Sequence, residues 1–345
     1  MNHEVTKVQD LLDEKGNLRE PGYSKVEVFK YDRNQIKVRK SKIKEWDYYY
    51  VGNKDYGLCL TFGDNGYVGS IGFTHLDFNA RTEKDNAEII AFPMGKFKLP
   101  NTSKIGNASY KTKKTEIHFD NDGKVRHLYG KRIKFHKDED LIFDIKLLNE
   151  PEESMFIATP FNKPKHFYYN QKINCLEVEG YYQIGDTRSE LNKENKSMAV
   201  LDWGRGVWTY KNTWYWGSAS AYLEDGSKFG FNIGYGFGDT SKASENMIFY
   251  NGKAHKIDLV DFNIPGDKEN KPRYLDEWDI TSNDNRFNVH FTPVYDRFGN
   301  INLGIICMIA HQVFGKFSGN VTLDDGTVIE FDNVYGFAEK VHNKW

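Results

Sequence analysis

The residues best suited to chemistry are concentrated at positions 201–216, which contain four of the seven tryptophans of the chain. The same stretch carries a carboxylate, Asp202, and a guanidinium, Arg205. Asp202 could act as a general acid or base, with Arg205 orienting it or holding an anionic or oxygen-rich substrate. The alternative is a structural Asp–Arg pair that fixes a tight glycine turn, because structural ion pairs are far commoner than catalytic ones.

A histidine, His311, is the third catalytic candidate. It follows an apolar run at 303–310, which predicts that it lies at the end of an interior strand. An imidazole there could transfer a proton near neutral pH, or it could only satisfy a backbone carbonyl. Glu339 and His342, close to the end of the chain, are weaker candidates.

Large aromatic rings alternate along the same region. Residues two positions apart in a strand project to one face, so Trp208 with Tyr210, and Trp214 with Trp216, predict an aromatic wall. We expect these four rings, together with Phe237 and Asp239, to line the principal ligand-binding pocket, in the C-terminal half of the chain.

The sequence carries none of the common cofactor or metal motifs. The glycine-rich stretch at 234–238 has neither the dinucleotide-binding spacing nor the Lys-Ser/Thr ending of a phosphate loop. The histidines form no His-Glu-x-x-His motif, the three cysteines form no Cys-x-x-Cys pair, and a Gly-x-Ser-x-Gly elbow is absent from the sequence. The sequence therefore predicts no cofactor and no metal, except for a metal site that the fold itself assembles.

Composition limits the classes of partner and compartment. The 47 basic and 49 acidic residues are mixed along the chain, which argues against a nucleic-acid-binding protein with a basic face. The longest apolar run is too short to cross a bilayer, and the first residues lack the features of a secretory signal. Three widely spaced cysteines do not predict disulfides, so we expect a cytoplasmic protein without a transmembrane segment.

The elements that must position these residues are predicted to be strands. Turn pairs such as Asn65-Gly66, Asp122-Gly123 and Asp225-Gly226 mark hairpins, and residues 286–291 alternate between apolar and polar types. Similar aromatic hairpins begin near Trp46 and Trp214 and indicate duplicated barrel halves, although any two aromatic hairpins resemble each other to some extent.

The proline-containing, polar stretch between 149 and 169 predicts a linker. The sequence thus divides into an N-terminal extension at 1–24, a barrel-like half at 25–160 and a second half at 161–345 that carries the main pocket.

Several motifs extend from one end of the chain to the other, at 11–24, 44–49, 201–210, 311–315 and 341–345. In these motifs the chain resembles the bacterial domain-of-unknown-function family 2804. It is more distantly similar to the paired lipocalin-like barrels of the carotenoid hydratase and tocopherol cyclase type. These resemblances imply an all-β fold of two lipocalin- or calycin-like antiparallel β-barrel halves, and they transfer no catalytic residue.

Three functions fit these features. The first is an enzyme that hydrates, isomerises or cyclises a small, partly apolar molecule by acid–base chemistry. The second is a carrier that binds a lipid-like or other hydrophobic ligand without changing it. The third is a carbohydrate-active hydrolase, which needs a second carboxylate across the pocket. The enzyme is favoured over the carrier, because Asp202, Arg205 and His311 would be costly to bury for binding alone.

Overall fold

The computed structural model describes residues 2–302, 304 and 306–344. Strands dominate this part of the chain, and the helical segments described in it are two short 3₁₀ turns, Arg33–Gln35 and Lys40–Lys42. None of the helical segments described here is long or apolar enough to span a bilayer. The described strands are β1 (Gln9–Asp10), β2 (Gly22–Ser24), β3 (Phe29–Lys30), β4 (Ile43–Gly52), β5 (Tyr56–Asp64), β6 (Val68–Asp77), β7 (Thr82–Ala91), β8 (Gly106–Lys111), β9 (Thr115–Asn121), β10 (Arg126–His136), β11 (Glu139–Leu148), β12 (Met155–Pro160), β13 (Phe167–Ile184), β14 (Thr187–Leu191), β15 (Met198–Val207), β16 (Lys211–Tyr222), β17 (Lys228–Tyr235), β18 (Met247–Tyr250), β19 (Lys253–Lys256), β20 (Val260–Asp261), β21 (Trp278–Ser282), β22 (Phe287–Asn302), β23 (Cys307–Thr322) and β24 (Val328–Lys344).

The first large sheet has thirteen strands among the described residues, and its main path runs β7-β6-β5-β4-β15-β13-β11-β10-β9-β8. Strands β2, β12 and β14 attach to this path. The sheet curls so that β10, near one end of the path, contacts β7 at the other end. Arg132 in β10 donates to the Asn86 side chain of β7 at 2.9 and 3.1 Å and pairs with Glu88 at 3.0 Å.

The second sheet has nine strands in the described part of the chain, in the order β19-β18-β17-β16-β24-β23-β22-β21-β20. In both sheets the first strand of the meander pairs with the last strand of the same half: β4 pairs with β15, and β16 with β24. Trp46 and Trp214 are each the fourth residue of that first strand. The predicted all-β fold of two antiparallel barrel-like halves is therefore confirmed.

The division between the sheets differs from the one expected from the sequence. The first sheet continues to Val207 and the second begins at Lys211, so β13 to β15 belong to the first sheet and not to the second. The stretch that resembled a linker contains β12, whose last residue, Pro160, pairs with Phe167 of β13. Residues 22–24, placed in the N-terminal extension, form β2 and pair with β12.

Each half has its own apolar interior, and further apolar layers lie between the halves. One such layer combines Tyr168 and Met198 of the first sheet with Tyr222 and Phe237 of the second half. A strand at this junction is therefore covered on both faces, and every residue of β15 is buried.

Two sequence predictions fall partly outside the described residues. Leu303 and Ile305 of the expected interior run are not described, and Trp345 of the closing motif is not described either. The described remainder of the run is only partly buried, since Ile309 is 37% exposed.

Candidate functional site

The candidate site lies at the junction of the two halves, on the outer faces of β13 and β15. Alternate residues of a strand point to opposite faces. In β15, Trp203 packs in the interior of the first half, and its neighbour Asp202 points to the second half. Asn170 and Lys172 of β13 share the outer face with Asp202, and Lys172 is the direct cross-strand partner of Asp202.

Lys172 is the centre of a buried charge cluster. Its Nζ lies 2.8 Å from Asp202 Oδ2 and 3.9 Å from Glu245 Oε2, and only 2% of the lysine is exposed. The ammonium also lies 3.8 Å from the centroid of the Trp216 ring, a cation–π contact that partly replaces its lost hydration. Residues from both halves thus share one buried positive charge.

Asp202 uses both carboxylate oxygens in this cluster. Oδ2 faces Lys172, and Oδ1 accepts a 2.6 Å hydrogen bond from Asn170 Nδ2. The same amide nitrogen donates to the carbonyl of Trp203 at 2.9 Å. Asp202 is therefore held through both oxygens, and these contacts fix the orientation of its side chain.

Glu245 lies in the connection between β17 and β18 and is 6% exposed. Burial raises the pKa of its carboxyl from 4.5 to about 7, although the nearby Lys172 ammonium acts in the opposite direction, and the Asp202 carboxylate raises it further. The side chain of Glu245 is 3.9 Å from the ammonium, whereas Asp202 is at 2.8 Å. With this pKa the Glu245 carboxyl can exchange a proton near neutral pH.

Glu339, in β24, is a third buried carboxyl beside the cluster. Oε1 accepts a 2.9 Å hydrogen bond from Trp214 Nε1, and Oε2 accepts one of 3.1 Å from Gln312 Nε2. Burial raises the pKa of Glu339 to about 7 against the effect of the Trp214 hydrogen bond. Gln312 in turn accepts a 3.2 Å hydrogen bond from Arg297, which links this carboxyl to the rest of the junction.

Aromatic rings pack beside these charges, and three of them, Trp208, Trp214 and Phe237, belong to the set expected to line a pocket. Phe237 contacts Trp208 at 4.9 Å and Trp214 at 5.2 Å between ring centroids, and it contacts Tyr168 of the first sheet at 4.8 Å. Trp46, also of the first sheet, contacts Trp208 at 5.0 Å. The aromatic group is thus shared by the halves, whereas the sequence placed it in the C-terminal half alone.

The structure does not bring Arg205 to this cluster. Arg205 is three positions from Asp202 and on the opposite face of β15, where it pairs with Asp47 at 2.8 Å and lies over the Trp203 ring at 4.0 Å. The expected Asp202–Arg205 pair is therefore corrected: Asp202 pairs with Lys172, and Arg205 pairs with Asp47 inside the first half.

His311, Tyr210 and Asp239 also lie away from the cluster. His311 faces the interior side of the second sheet, where Nδ1 lies 2.7 Å from Asp296 and the ring stacks on Tyr274 at 3.8 Å. Tyr210 is 55% exposed. Asp239 is exposed, and its carboxylate accepts a 3.1 Å hydrogen bond from the backbone N–H of Ser241.

Sequence reasoning missed Lys172, Asn170 and Glu245 and ranked Glu339 low. In β13 the polar residues Asn170, Lys172 and Asn174 recur at every second position, which indicates a polar strand face, although the polar Gln171 between the first two interrupts the alternation. Glu245 lies in a loop without periodicity and carries no such signal. Within the described residues, no group of three or more His, Cys, Asp or Glu side chains is arranged to hold a metal ion.

Comparison with solved structures gives several matches at low sequence identity. A candidate AttH protein from Nitrosomonas europaea matches with a TM-score of 0.54 and 13% identity, over 87% of this chain and 92% of that one, and this likeness shows the fold alone. Kievitone hydratase from Nectria haematococca matches with a TM-score of 0.43 and 9% identity, over 98% of each chain. CghA with Sch210972 matches with a TM-score of 0.42 and 9% identity, over 97% of each chain. The last two TM-scores are too low to carry an argument about this chain.

No protein with a curated description matches the chain significantly. The resemblance noted in the sequence motifs is nevertheless confirmed over almost the whole length. Because the model of the family described as a domain of unknown function (DUF2804) matches residues 2–345, this chain belongs to the DUF2804 family.

Proposed function

We propose that this protein is a small-molecule enzyme that performs acid–base chemistry at the junction of its two halves, with Glu245 as the group that gives and takes the proton. The observation that carries the proposal is the Glu245 carboxyl itself. It is buried next to the Lys172–Asp202 pair, and burial raises its pKa to about 7. A carboxyl with a pKa near the working pH is the form that general acid–base catalysis requires.

The other members of the cluster have supporting roles in this proposal. Asp202 and Asn170 are positioning residues, because they hold the Lys172 ammonium beside Glu245. Trp208, Trp214 and Phe237 provide apolar surface for a partly apolar substrate, and Trp214 is oriented by its hydrogen bond to Glu339. Arg205, His311, Tyr210 and Asp239 lie outside the cluster, and the proposal gives them no part in proton transfer.

This set of groups suits reactions that need only proton transfer, such as hydration of a double bond, isomerisation or cyclisation. In hydration, the carboxyl of Glu245 donates its proton to one carbon of the double bond. Water adds to the other carbon, and the proton that this water releases returns to the carboxylate. Isomerisation and cyclisation use the same donation and return without the addition of water. A carrier of hydrophobic ligands is the alternative, and it would use the same aromatic surface without conversion.

The experiment is a conversion screen with unsaturated phenols and terpenoid alcohols, analysed by mass spectrometry. Hydration adds the mass of water, whereas isomerisation and cyclisation change retention time at constant mass. With a converted compound, Glu245→Gln is expected to lower turnover by roughly 10²- to 10⁴-fold and to keep ligand binding. Glu269→Gln, at an exposed position that is not part of the charge cluster, is the control.

Two results would contradict the proposal. Turnover by Glu245→Gln at the rate of the unmodified protein would remove Glu245 from the reaction. Tight binding of these compounds without conversion by the unmodified protein, over the whole range from pH 5 to pH 9, would identify a carrier.

A further inference from the structure

The segment that carries Glu245 is an irregular connection between β17 and β18, outside the strand ladders. Side chains from distant parts of the sequence bind it instead. The side-chain oxygen of Asn2 accepts from the Ser244 N–H at 2.9 Å. Lys256 Nζ donates to Ser244 Oγ at 2.7 Å and to the carbonyl of Asn246 at 2.8 Å. Because buried backbone groups need partners, these bonds fix the path of the segment on both sides of Glu245.

Asn232, in β17, binds Glu245 itself. Its Nδ2 donates to the Glu245 carbonyl at 2.8 Å, and its Oδ1 accepts a 2.7 Å hydrogen bond from Trp216 Nε1. The orientation of the amide follows from its partners, because a backbone carbonyl only accepts and an indole N–H only donates. Asn232 is 0% exposed. Both ends of its amide are therefore bonded inside the protein, one to each partner.

The strand register explains why Asn232 reaches both partners. It lies directly opposite Ser218 of β16 and Met247 of β18. Trp216 is two residues before Ser218, and Glu245 is two residues before Met247. Residues two apart in a strand share a face, so Trp216 lies on the face of β16 that Asn232 occupies in β17. The amide thus lies between the indole and the Glu245 segment.

Trp216 connects the same amide to the charge cluster. The centroid of its ring lies 3.8 Å from Lys172 Nζ, and this ammonium lies 3.9 Å from Glu245 Oε2. Asn232 is therefore linked to Glu245 by two routes, one through the Glu245 carbonyl and one through Trp216 and Lys172. Loss of its amide would release the backbone of the carboxyl and the ring that contacts the ammonium together.

We infer that Asn232 is a positioning residue that holds the Glu245 carboxyl and the Lys172 ammonium in a fixed relation for proton transfer. This inference rests on the function proposed above for Glu245. Asn232 acts only through its two hydrogen-bonded partners. A buried side chain with both polar ends bonded is rigid, and rigid support of this kind keeps reacting groups at productive distances.

The electrostatics of Glu245 supply a readout for this role. Burial raises the pKa of Glu245 to about 7, and the Asp202 carboxylate also raises it. The Lys172 ammonium, the hydrogen bond from Asn232 and the Lys256 ammonium lower it. Loss of the Asn232 amide should therefore raise the pKa of Glu245 further. A purely structural role elsewhere in the core would not produce this change.

The test is an NMR titration of the full chain labelled with ¹³C at the glutamate carboxyls, which needs no substrate. The Glu245 signal is assigned by its loss in Glu245→Gln. Asn232→Leu has nearly the same size and no polar group, and the midpoint of the Glu245 titration should rise in it by roughly 0.5 to 1 in pH. With a compound found in the conversion screen, the same variant should lower kcat by roughly 10- to 100-fold and change KM little.

Asn174→Leu is the matched control. Asn174 is also 0% exposed, and its Nδ2 donates to Ser218 Oγ at 2.8 Å and to the carbonyl of Ala219 at 3.0 Å in β16. Both variants should lose stability, because each leaves buried polar groups without partners. The control should nevertheless keep the Glu245 midpoint and kcat of the unmodified protein.

Two further measurements cover the case in which Asn232→Leu does not fold. Asn232→Ser then takes its place, since one hydroxyl group on a shorter side chain cannot bridge both partners of the amide, and its Glu245 midpoint should rise in the same direction. In the unmodified protein, the indole ¹H–¹⁵N signal of Trp216, assigned by its loss in Trp216→Phe, should shift with pH at the Glu245 midpoint.

Failure of this inference differs from failure of the proposed function. Equal Glu245 midpoints in the Asn232 and Asn174 variants, or a Trp216 indole signal that does not follow the Glu245 titration, would overturn the inference whatever the activity. Normal turnover by Glu245→Gln would contradict the proposed function instead. In that case a raised midpoint in Asn232→Leu would still support the hold of Asn232 on Glu245.

Discussion

At the scale of single residues, Glu245 and Asp202 show how two buried carboxyls beside one lysine acquire different properties. Asp202 has a close cation at 2.8 Å and an amide donor at 2.6 Å, and these contacts compensate for its burial. Glu245 is farther from the same cation, at 3.9 Å, so its burial is less well compensated. The difference predicts a stability effect for Glu245 that depends on pH and one for Asp202 that depends on its partner.

The first prediction concerns Glu245→Gln. The folded protein holds the Glu245 proton with a pKa of about 7, against an ordinary value of 4.5. A carboxyl whose pKa is raised by folding stabilises the folded state fully at pH values below its pKa in the unfolded chain. This stabilisation is lost as the pH rises to its pKa in the folded protein. Glutamine cannot ionise, so from pH 5 to pH 8 the variant should gain up to roughly 3 kcal/mol of unfolding free energy relative to the unmodified protein.

Urea unfolding at the two pH values measures this change, with Glu269→Gln as the control at an exposed position. The control should differ from the unmodified protein by the same amount at both pH values. An equal difference for Glu245→Gln at pH 5 and pH 8 would show that the carboxyl is not perturbed.

The second prediction concerns the partner of Asp202. Asp202→Asn should cost roughly 3–5 kcal/mol, because it leaves the buried Lys172 ammonium without its close anion. Adding Lys172→Met should restore much of this loss. Adding Arg205→Met should not restore it, because Arg205 pairs with Asp47 on the other face of the strand. Thermal and urea unfolding distinguish these double variants, and rescue by Arg205→Met would contradict the assigned pairing.

At the scale of elements, the fit between β4 and β15 depends on Gly204. The Trp46 indole lies across this glycine, and a Cβ on Gly204 would lie 2.0 Å from Trp46 Cζ2. The glycine therefore allows Trp46 to reach Tyr168 and Trp208 at the junction.

The third prediction is that Gly204→Ala displaces the Trp46 ring and destabilises the protein by at least roughly 1–3 kcal/mol. Urea unfolding and the tryptophan emission spectrum should both change. Gly72→Ala in β6 is the control, since its Cβ would lie 3.4 Å from the nearest neighbouring atom, Thr61 Cβ. Equal stability of the two variants would show that the Trp46 ring has room to move.

Sequence patterns at this scale predicted the strands and the likeness of the halves, because turns and alternation are local properties. The boundary between the sheets depends on which strands pair, and strand pairing is not a local property of the sequence. Pro160 ends a strand and pairs with Phe167, so a proline typical of a linker stands in a hairpin. The Asp202–Arg205 pair failed for a similar reason: residues three apart in a strand face opposite sides, and the partner Lys172 comes from a neighbouring strand.

At the scale of the whole molecule, Arg297 connects the halves. It projects from β22 of the second sheet to Asp85 at 2.9 Å and Glu83 at 3.3 Å in β7, and to the hydroxyl group of Thr74 in β6 at 2.8 Å. It also donates to Gln312, which donates to Glu339. The same side chain thus links the first sheet to a carboxyl of the candidate site.

The fourth prediction is that Arg297→Met loosens the junction. Loss of the guanidinium leaves two carboxylates close together without their cation, so unfolding in calorimetry should become less cooperative and separate toward two transitions. Hydrogen exchange should also increase in β7 and β22. Arg273→Met, which removes an exposed ion pair with Asp276, should leave a single transition. A single, unshifted transition for Arg297→Met would show that apolar packing alone joins the halves.

The pairing of the first strand of each half with its last strand has a consequence for synthesis of the protein. Strand β4 ends at Gly52, and its partner β15 is complete only when Val207 has left the ribosome. At a synthesis rate of about 5–20 residues per second, the edge of β4 remains without its partner strand for on the order of ten seconds. During this interval it is an open strand edge to which another nascent chain can add. The yield of folded protein should therefore depend on translation speed and on chaperones, even where the finished molecule is stable.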